Sequence, residues 1–312
     1  MRFRVSPPTV DRPETAAREI ETPTLVLALA IYAGWLAVTA FHAAIPTPIL
    51  VALGGWLVAW HGSLQHEIIH GHPTPWRRLN QAIAFAPLSL WLPFEIYRGS
   101  HLAHHATEHL TDPEHDPESR YLSATGAVSP LKRVLAHAKA SLLGRIVLGP
   151  LIEIAGFLAH EARLLIAGRE DRRLIWAAHA AGVAAIVFWL RLNDLSLGRY
   201  LLCFVYPGAA LSLIRSFAEH HADQDPARRV AVVERAPILG LLFLNNNLHA
   251  AHHDRPGLAW YALPRFYARE RARLISANGG LVYDGYAEVA RRYLLRPRDA
   301  VDYPGPVAEA RP

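Results

Sequence analysis

Long runs of uncharged, apolar residues constrain this chain more than any other feature. Residues 24–45 read TLVLALAIYAGWLAVTAFHAAI, without one charged side chain. About 20 apolar residues in a helix span the hydrocarbon core of a bilayer. Pro46 and Pro48 then impose a turn. Residues 49–60 resume the apolar pattern, and no charge follows until Glu67, so a second span runs straight into a histidine-rich segment. Residues 174–190 and 200–213 give two more spans, joined by the short loop 191–199. Residues 79–96 are also apolar, but Pro87, Pro93 and Glu95 interrupt them. That run reads as a partial or re-entrant hairpin and not as a clean span.

Composition supports this reading. The 312-residue chain is 52% hydrophobic and only 19% charged, which argues against disorder and against an ordinary soluble protein. Soluble core helices are the competing explanation, but they rarely run uncharged for this length. A lone cysteine, Cys203, excludes a disulfide framework, a four-cysteine zinc site and a fused iron–sulfur module. The net charge is +5. Its basic residues flank the apolar runs and carry no nucleic-acid motif, so a membrane surface is the expected acidic partner and nucleic acid is not.

The basic residues also orient the spans. With residues 43–48 and 191–199 outside, the outer loops hold only Arg191 and Arg199. Arg77, Arg78, Arg98, Arg120, Arg169 and the Arg-rich C-terminal part then lie inside. The expected architecture is an all-α integral membrane bundle. It has about four transmembrane spans, both termini cytosolic, and a cytosolic helical cap. Three regions follow: a cytosolic N-terminal lead-in (1–23) without the form of a secretory signal, a membrane domain (24–255) and a cytosolic C-terminal extension (256–312) ending in a loose tail. Residues 130–167 alternate apolar and charged positions at helical spacing. They predict an amphipathic helix on the inner leaflet, or one packed on the domain.

The 18 histidines are not scattered. They gather as His66-Glu-Ile-Ile-His70-Gly-His72, His101-Leu-Ala-His104-His105, Glu219-His220-His221 and His249-Ala-Ala-His252-His253, each following an apolar run on the inner side. Residues four apart share a helix face. His66 pairs with His70, His101 with His105, and His249 with His253, while His104 and His252 are rotated off those stripes by roughly 100°. An HxxHH cluster therefore sends ligands toward two neighbouring metals. Imidazole suits Zn, Cu, Fe and Ni, and nine or ten histidines are too many for one ion. A lone HxxxH is more often a surface or packing feature. Three such clusters and an EH pair on one membrane face are not.

HEIIH, HLAHH and HAAHH resemble the three histidine boxes of the membrane fatty acid desaturase and hydroxylase superfamily, over about residues 59–253. The resemblance implies a non-haem di-iron centre with O2 as co-substrate. The implied metal ligands are His66 and His70, then His101, His104 and His105, then His249, His252 and His253, with His220 as the histidine following the last span. Some relatives carry an Asn one turn before that histidine; here it is Ser216. Asn245, Asn246 and Asn247 precede the third box and offer hydrogen bonds to its rings, or a helix cap. The acids near the boxes, Glu67, Glu108, Asp112, Glu219, Asp223 and Asp254, are candidates to orient ligating imidazoles. Trp56, Trp60, Phe85, Trp91, Phe94 and Tyr97 are candidates to line a substrate path, with interfacial anchoring explaining most of them. His61 and His72 are not expected to be ligands, His221 is the second choice after His220, and what His72, His221 and Asn246 do is otherwise open at this level.

The implied reaction is oxidation of a lipid C–H bond, with fatty acyl desaturation as first choice. Hydroxylation of an acyl chain, of a lipid head group such as that of ornithine lipid, or of a carotenoid comes second. With no fused redox domain, an external donor such as ferredoxin or a cytochrome b5-like protein is expected. The expected location is a bacterial inner membrane with the boxes on the cytosolic side. A metal transporter or sensor is the alternative of another class, and its ligands belong near mid-membrane.

Overall fold

Pro23 and Pro48 each sit in the first turn of a long apolar helix, where a missing N–H costs nothing. The computed structural model describes residues 19–123 and 128–305. The first of these helices, α1, covers Thr22–Ala40 and the second, α2, covers Thr47–Ile69. Two short helices follow, α3 (Arg77–Ala84) and α4 (Phe94–Ala106). Next come α5 (Pro130–Ala138), α6 (Leu142–Val147), α7 (Gly149–Ile166) and the long α8 (Glu170–Leu192). Then α9 (Leu197–Tyr200), a π-helical turn (Leu201–Val205) and α10 (Tyr206–Glu219) run on as one continuous helix. Among the described residues, four helices are long and apolar enough to cross a membrane: Thr22–Ala40, Thr47–Ile69, Glu170–Leu192 and Leu197–Glu219. The rest is α11 (Pro237–Leu242), α12 (His249–Asp254), α13 (Leu263–Ala277) and α14 (Tyr286–Tyr293). The strands described, β1 (Val232–Val233) and β2 (Val282–Tyr283), form one parallel pair. The fold is thus a helical bundle.

Close backbone approach holds α2 against α10 and the π turn. A Cβ added at Gly54 would lie 2.5 Å from the Cys203 carbonyl oxygen, and one at Gly208 would lie 2.7 Å from Val58. Small residues at such crossings let apolar helices gain dispersion contact where lipid offers no hydrophobic drive. Buried polar groups then cross-link the spans. Trp35 Nε1 donates to Tyr200 Oη at 2.9 Å, and Tyr32 Oη meets His61 Nε2 at 3.1 Å. His61 is thereby committed to packing.

The apolar run at residues 79–96 does not span. Its middle is irregular backbone between α3 and α4, and side chains of the spans satisfy its carbonyls. Gln65 Nε2 donates to Ala84 O at 2.8 Å, Tyr200 Oη donates to Leu88 O at 2.6 Å, and His179 Nε2 meets Leu90 O at 2.9 Å. Non-helical backbone at this depth persists only with such protein partners. The single amphipathic helix expected over residues 130–167 is corrected to three. Ser129 and Ser141 cap new starts by accepting from the backbone N–H of Lys132 and Gly144, and Pro150 opens α7. The N-terminal lead-in falls outside the described residues over 1–18, as does the tail over 306–312.

Candidate metal centre

Four segments converge at one end of the bundle. The last turn of α2 carries His66, and His70 caps that helix before Gly71, whose φ of +101° lets the chain leave sharply. Helix α4 carries His101, His104 and His105. His220 follows α10 directly, and α12 carries His249, His252 and His253. Leu244 and Asn245, with φ of 50° and 60°, turn the chain into α12. Left-handed backbone at a Leu is strained, and such strain gathers where function fixes the geometry.

The nine rings form two groups. His66, His70, His101, His105 and His252 make one; His104, His220, His249 and His253 make the other. The helical stripes explain the division: His104 and His252 each leave their own box to join the opposite group. The groups abut, with His105 and His253 stacked at a centroid distance of 4.4 Å.

Within each group the Nε2 atoms point at one another. His104 and His220 approach to 3.0 Å, His220 and His249 to 2.9 Å, and His249 and His253 to 3.2 Å. In the other group His101 Nε2 lies 3.1 Å from both His70 and His105, and His252 lies 3.1 Å from His105. Four of the Nδ1 atoms are already occupied on the far side. His104 Nδ1 donates to Asp116 Oδ1 at 2.8 Å, His249 Nδ1 to Asn246 Oδ1 at 2.9 Å, and His220 Nδ1 to the Arg229 carbonyl at 3.3 Å. His101 Nδ1 donates to Glu118 at 3.1 Å. A neutral imidazole has one N–H. The Nε2 atoms of His104, His220 and His249 are therefore lone pairs facing lone pairs, which repel unless a cation lies between them. Metal–nitrogen bonds of about 2.0–2.1 Å produce nitrogen–nitrogen separations of this size. The donor set thus fits two imidazole-ligated ions.

Electrostatics agree for the rings outside the spans. Burial, with neighbouring imidazoles adding to it, holds the pKa of His70, His220, His249, His252 and His253 well below the usual range and pushes His105 down to about 2. Neutral imidazole is the ligating form. Burial lowers His104 too, but the Asp116 hydrogen bond and nearby carboxylates more than reverse it, so its pKa is raised.

Sequence proximity found only part of this support. Of the six acids beside the boxes, Glu219 alone faces one of the nine rings, with Oε1 3.5 Å from His249 Nδ1. Glu67 accepts from the Trp260 N–H, Asp112 pairs with His115, Asp223 accepts from the Asp225 N–H, Asp254 pairs with Arg273, and Glu108 is exposed. Asp116 and Glu118, which do hold rings, sit in the acid-rich turn DPEHDPES beyond the second box; that turn was the available signal. Among the three asparagines, Asn246 bonds His249 and also reaches His66 Nε2 at 3.3 Å. Asn245 and Asn247 donate instead to the carbonyls of Trp260 and Val233. Ser216 Oγ bonds back to Leu213 O of its own helix. His221 turns away to Asp299 Oδ1 at 2.6 Å.

The chain belongs to the fatty acid desaturase family. Its family model, "Fatty acid desaturase", matches residues 39–286, well over half of the chain. No curated protein matches the chain significantly. As a member of this family the chain is an enzyme, an oxidoreductase of the lipid desaturase or hydroxylase type, and an integral membrane protein with a lipid substrate.

A cavity of about 220 Å³ lies between α2, α7 and α10. Val58, Ile154, Val205 and Leu213 supply apolar wall, and Gln65 and Arg215 a polar end. Arg215 Nε lies 3.1 Å from Glu219 Oε1, the carboxylate that faces His249, so the polar end adjoins the four-histidine group. Of the candidate path aromatics, Trp91 and Tyr97 line this cavity. Trp60 instead donates to the Leu241 carbonyl, Trp56 stacks edge-on against Trp60, Phe85 is exposed and Phe94 is buried in the core.

Proposed function

We propose that the chain is an O2-dependent di-iron oxidoreductase that desaturates a fatty acyl lipid. His66, His70, His101, His105 and His252 would hold one iron, and His104, His220, His249 and His253 the other. The carrying observation is the set of Nε2 atoms facing one another at 2.9–3.2 Å, with the Nδ1 atoms of His101, His104, His220 and His249 tied elsewhere. Bound there, the irons supply the O2 activation and oxidising power that protein side chains lack.

The chain's own residues do the positioning. Asp116, Glu118 and Asn246 fix ring tautomers and aim the lone pairs inward. The apolar wall of the cavity takes the acyl chain, and Arg215 with Gln65 keeps its inner end polar. Overall, two hydrogens from the lipid, two electrons from an external donor and two protons from solution reduce O2 to two waters, leaving a carbon–carbon double bond. A ferredoxin or cytochrome b5-like donor docks on the basic inner face, where charge complementarity speeds encounter. The site lies at the ends of α2 and α10, away from mid-membrane, which favours an enzyme over a transporter. The positive-inside pattern favours a cytosolic side for that end and both termini, in what we read as a bacterial inner membrane.

Lipid mass spectrometry of cells with and without the gene tests this reading. Products that have lost two hydrogens support desaturation. Products that have gained one oxygen replace it with hydroxylation, and an unchanged lipid profile in cells that make the protein overturns both.

A further inference from the structure

Glu21, Glu67 and His72 form a third group of ligand-type side chains, outside the nine rings, with one ligand atom of each within 4.8 Å of the others. Glu21 immediately precedes α1. Glu67 lies one position past His66 in the last turn of α2, rotated by roughly 100° away from the histidine stripe. His72 follows that helix. The three side chains are only 11%, 9% and 3% exposed respectively.

The histidine decides the reading. His72 Nδ1 meets Glu21 Oε1 at 2.5 Å. Its Nε2 is buried, has no hydrogen-bond partner and points toward Glu67, 3.8 Å from Oε1. That separation is too long for a hydrogen bond and suits two ligands of one ion. An imidazole that donates through one nitrogen to a carboxylate and offers a bare lone pair at the other has the form of a metal-ligating histidine.

Charge balance points the same way. The only ion-pair partner of Glu21 and Glu67 among the described residues is His72. Their other contacts orient them without neutralising them. Thr24 Oγ donates to Glu21 Oε2 at 3.0 Å, and the Trp260 N–H donates to Glu67 Oε1 at 2.8 Å. Buried carboxylates are ordinarily paired with a cation or bound to a metal. A divalent ion balances two of them. One imidazole and two carboxylates form a hard-to-borderline donor set of the kind zinc accepts.

We propose that Glu21, Glu67 and His72 bind a single divalent transition-metal ion of the zinc type, a third metal distinct from the paired centre. It clamps the start of α1 to the first histidine box. Through Trp260, whose Nε1 also reaches Thr24 Oγ at 3.2 Å, it extends to the segment after the third box.

The test is zinc counting on full-length protein in detergent, stripped with a chelator and reloaded with Zn2+ alone. Wild type should hold about three ions per chain and Glu21→Ala about two. Equal counts in the two proteins overturn the third site. A count of two in both leaves the paired centre standing alone. A count of one in wild type, lost in Glu21→Ala, supports the third site and removes the paired centre. Anomalous scattering at the zinc edge from wild-type crystals gives an answer that needs no variant to fold. A peak enclosed by Glu21, Glu67 and His72 supports the proposal, and its absence overturns it.

Discussion

The five-histidine and four-histidine groups share a pocket but are braced differently. In the four-histidine group, three of four rings are tied through Nδ1: His104 to Asp116, His220 to the Arg229 carbonyl, His249 to Asn246. Asp116 is itself fixed, because its carboxylate also accepts from the backbone N–H of Thr111 and of Glu118. Arg120 and Arg298 both donate to the His220 carbonyl, and Asp299 braces these arginines. In the five-histidine group the carboxylate support is Glu118 on His101, and Glu118 is about a third exposed. That group relies on an extra imidazole and on rings packed face to edge, such as His70 against His101 and His105. One site is held by hydrogen bonds with no ligand to spare; the other is held more loosely, with one in reserve.

The largest expected effect separates activity from metal content. His105→Ala and His253→Ala should each lower lipid oxidation by more than ~100-fold while the protein still inserts in the membrane, because both sites must be complete. Iron content should differ. His105→Ala leaves four imidazoles, enough for a tetrahedral set, and should keep about two irons per chain; His253→Ala leaves three and should fall to about one. Equal iron loss in the two variants breaks the comparison, and near-normal activity in either removes that histidine from the ligand set.

The next effect tests the bracing. Asp116→Asn should weaken iron binding by ~10–100-fold at one site of the pair. Glu118→Gln should weaken it by less than ~10-fold, since water competes for the partly exposed carboxylate. Chelator titration of the purified protein reads both, and the reverse order would show that exposure does not set the value of the bracing. Asn246→Ala is intermediate in kind, because Asn246 touches His249 of one group and His66 of the other. Leaving a buried donor unpaired costs about 1–3 kcal/mol. That corresponds to roughly 5–150-fold in iron affinity at the four-histidine site, where His249 Nδ1–H loses its acceptor; at His66 the amide of Asn246 is the donor, so the five-histidine site should lose less. A larger loss at the five-histidine site would show that the contact with His66 matters more than the one with His249.

The contrast also marks what the chain made legible. Spans and box stripes follow from local rules, bilayer length and helical period, so four crossing helices and the splitting of His104 and His252 from their neighbours could be read directly. The bracing depends on which distant backbone returns to the site, and period carries no such information. Asp116 reaches His104 across an irregular turn, and Asp299 reaches His221 across 78 positions. The broken helix over residues 130–167 was missed for a related reason. Its apolar spacing is continuous, and the serine caps and Pro150 that divide it are short signals inside a strong pattern.

The smallest expected effect concerns neighbours in sequence with unlike surroundings. His220 Nε2 faces two other imidazoles, whereas His221 Nδ1 meets Asp299 and its side chain is a third exposed. His220→Asn should remove iron from the four-histidine site and abolish activity. His221→Asn should keep about two irons per chain and activity within ~3-fold, because a partly exposed pair contributes only about 0–1 kcal/mol. Asp299 also holds Arg120, Arg298 and the Tyr121 hydroxyl, so losing one of its four partners leaves the loop after α10 anchored. Iron loss in His221→Asn matching that in His220→Asn would mean that Asp299 positions His220 chiefly through His221. The bracing of the four-histidine site would then run through side chains and not through the His220 carbonyl.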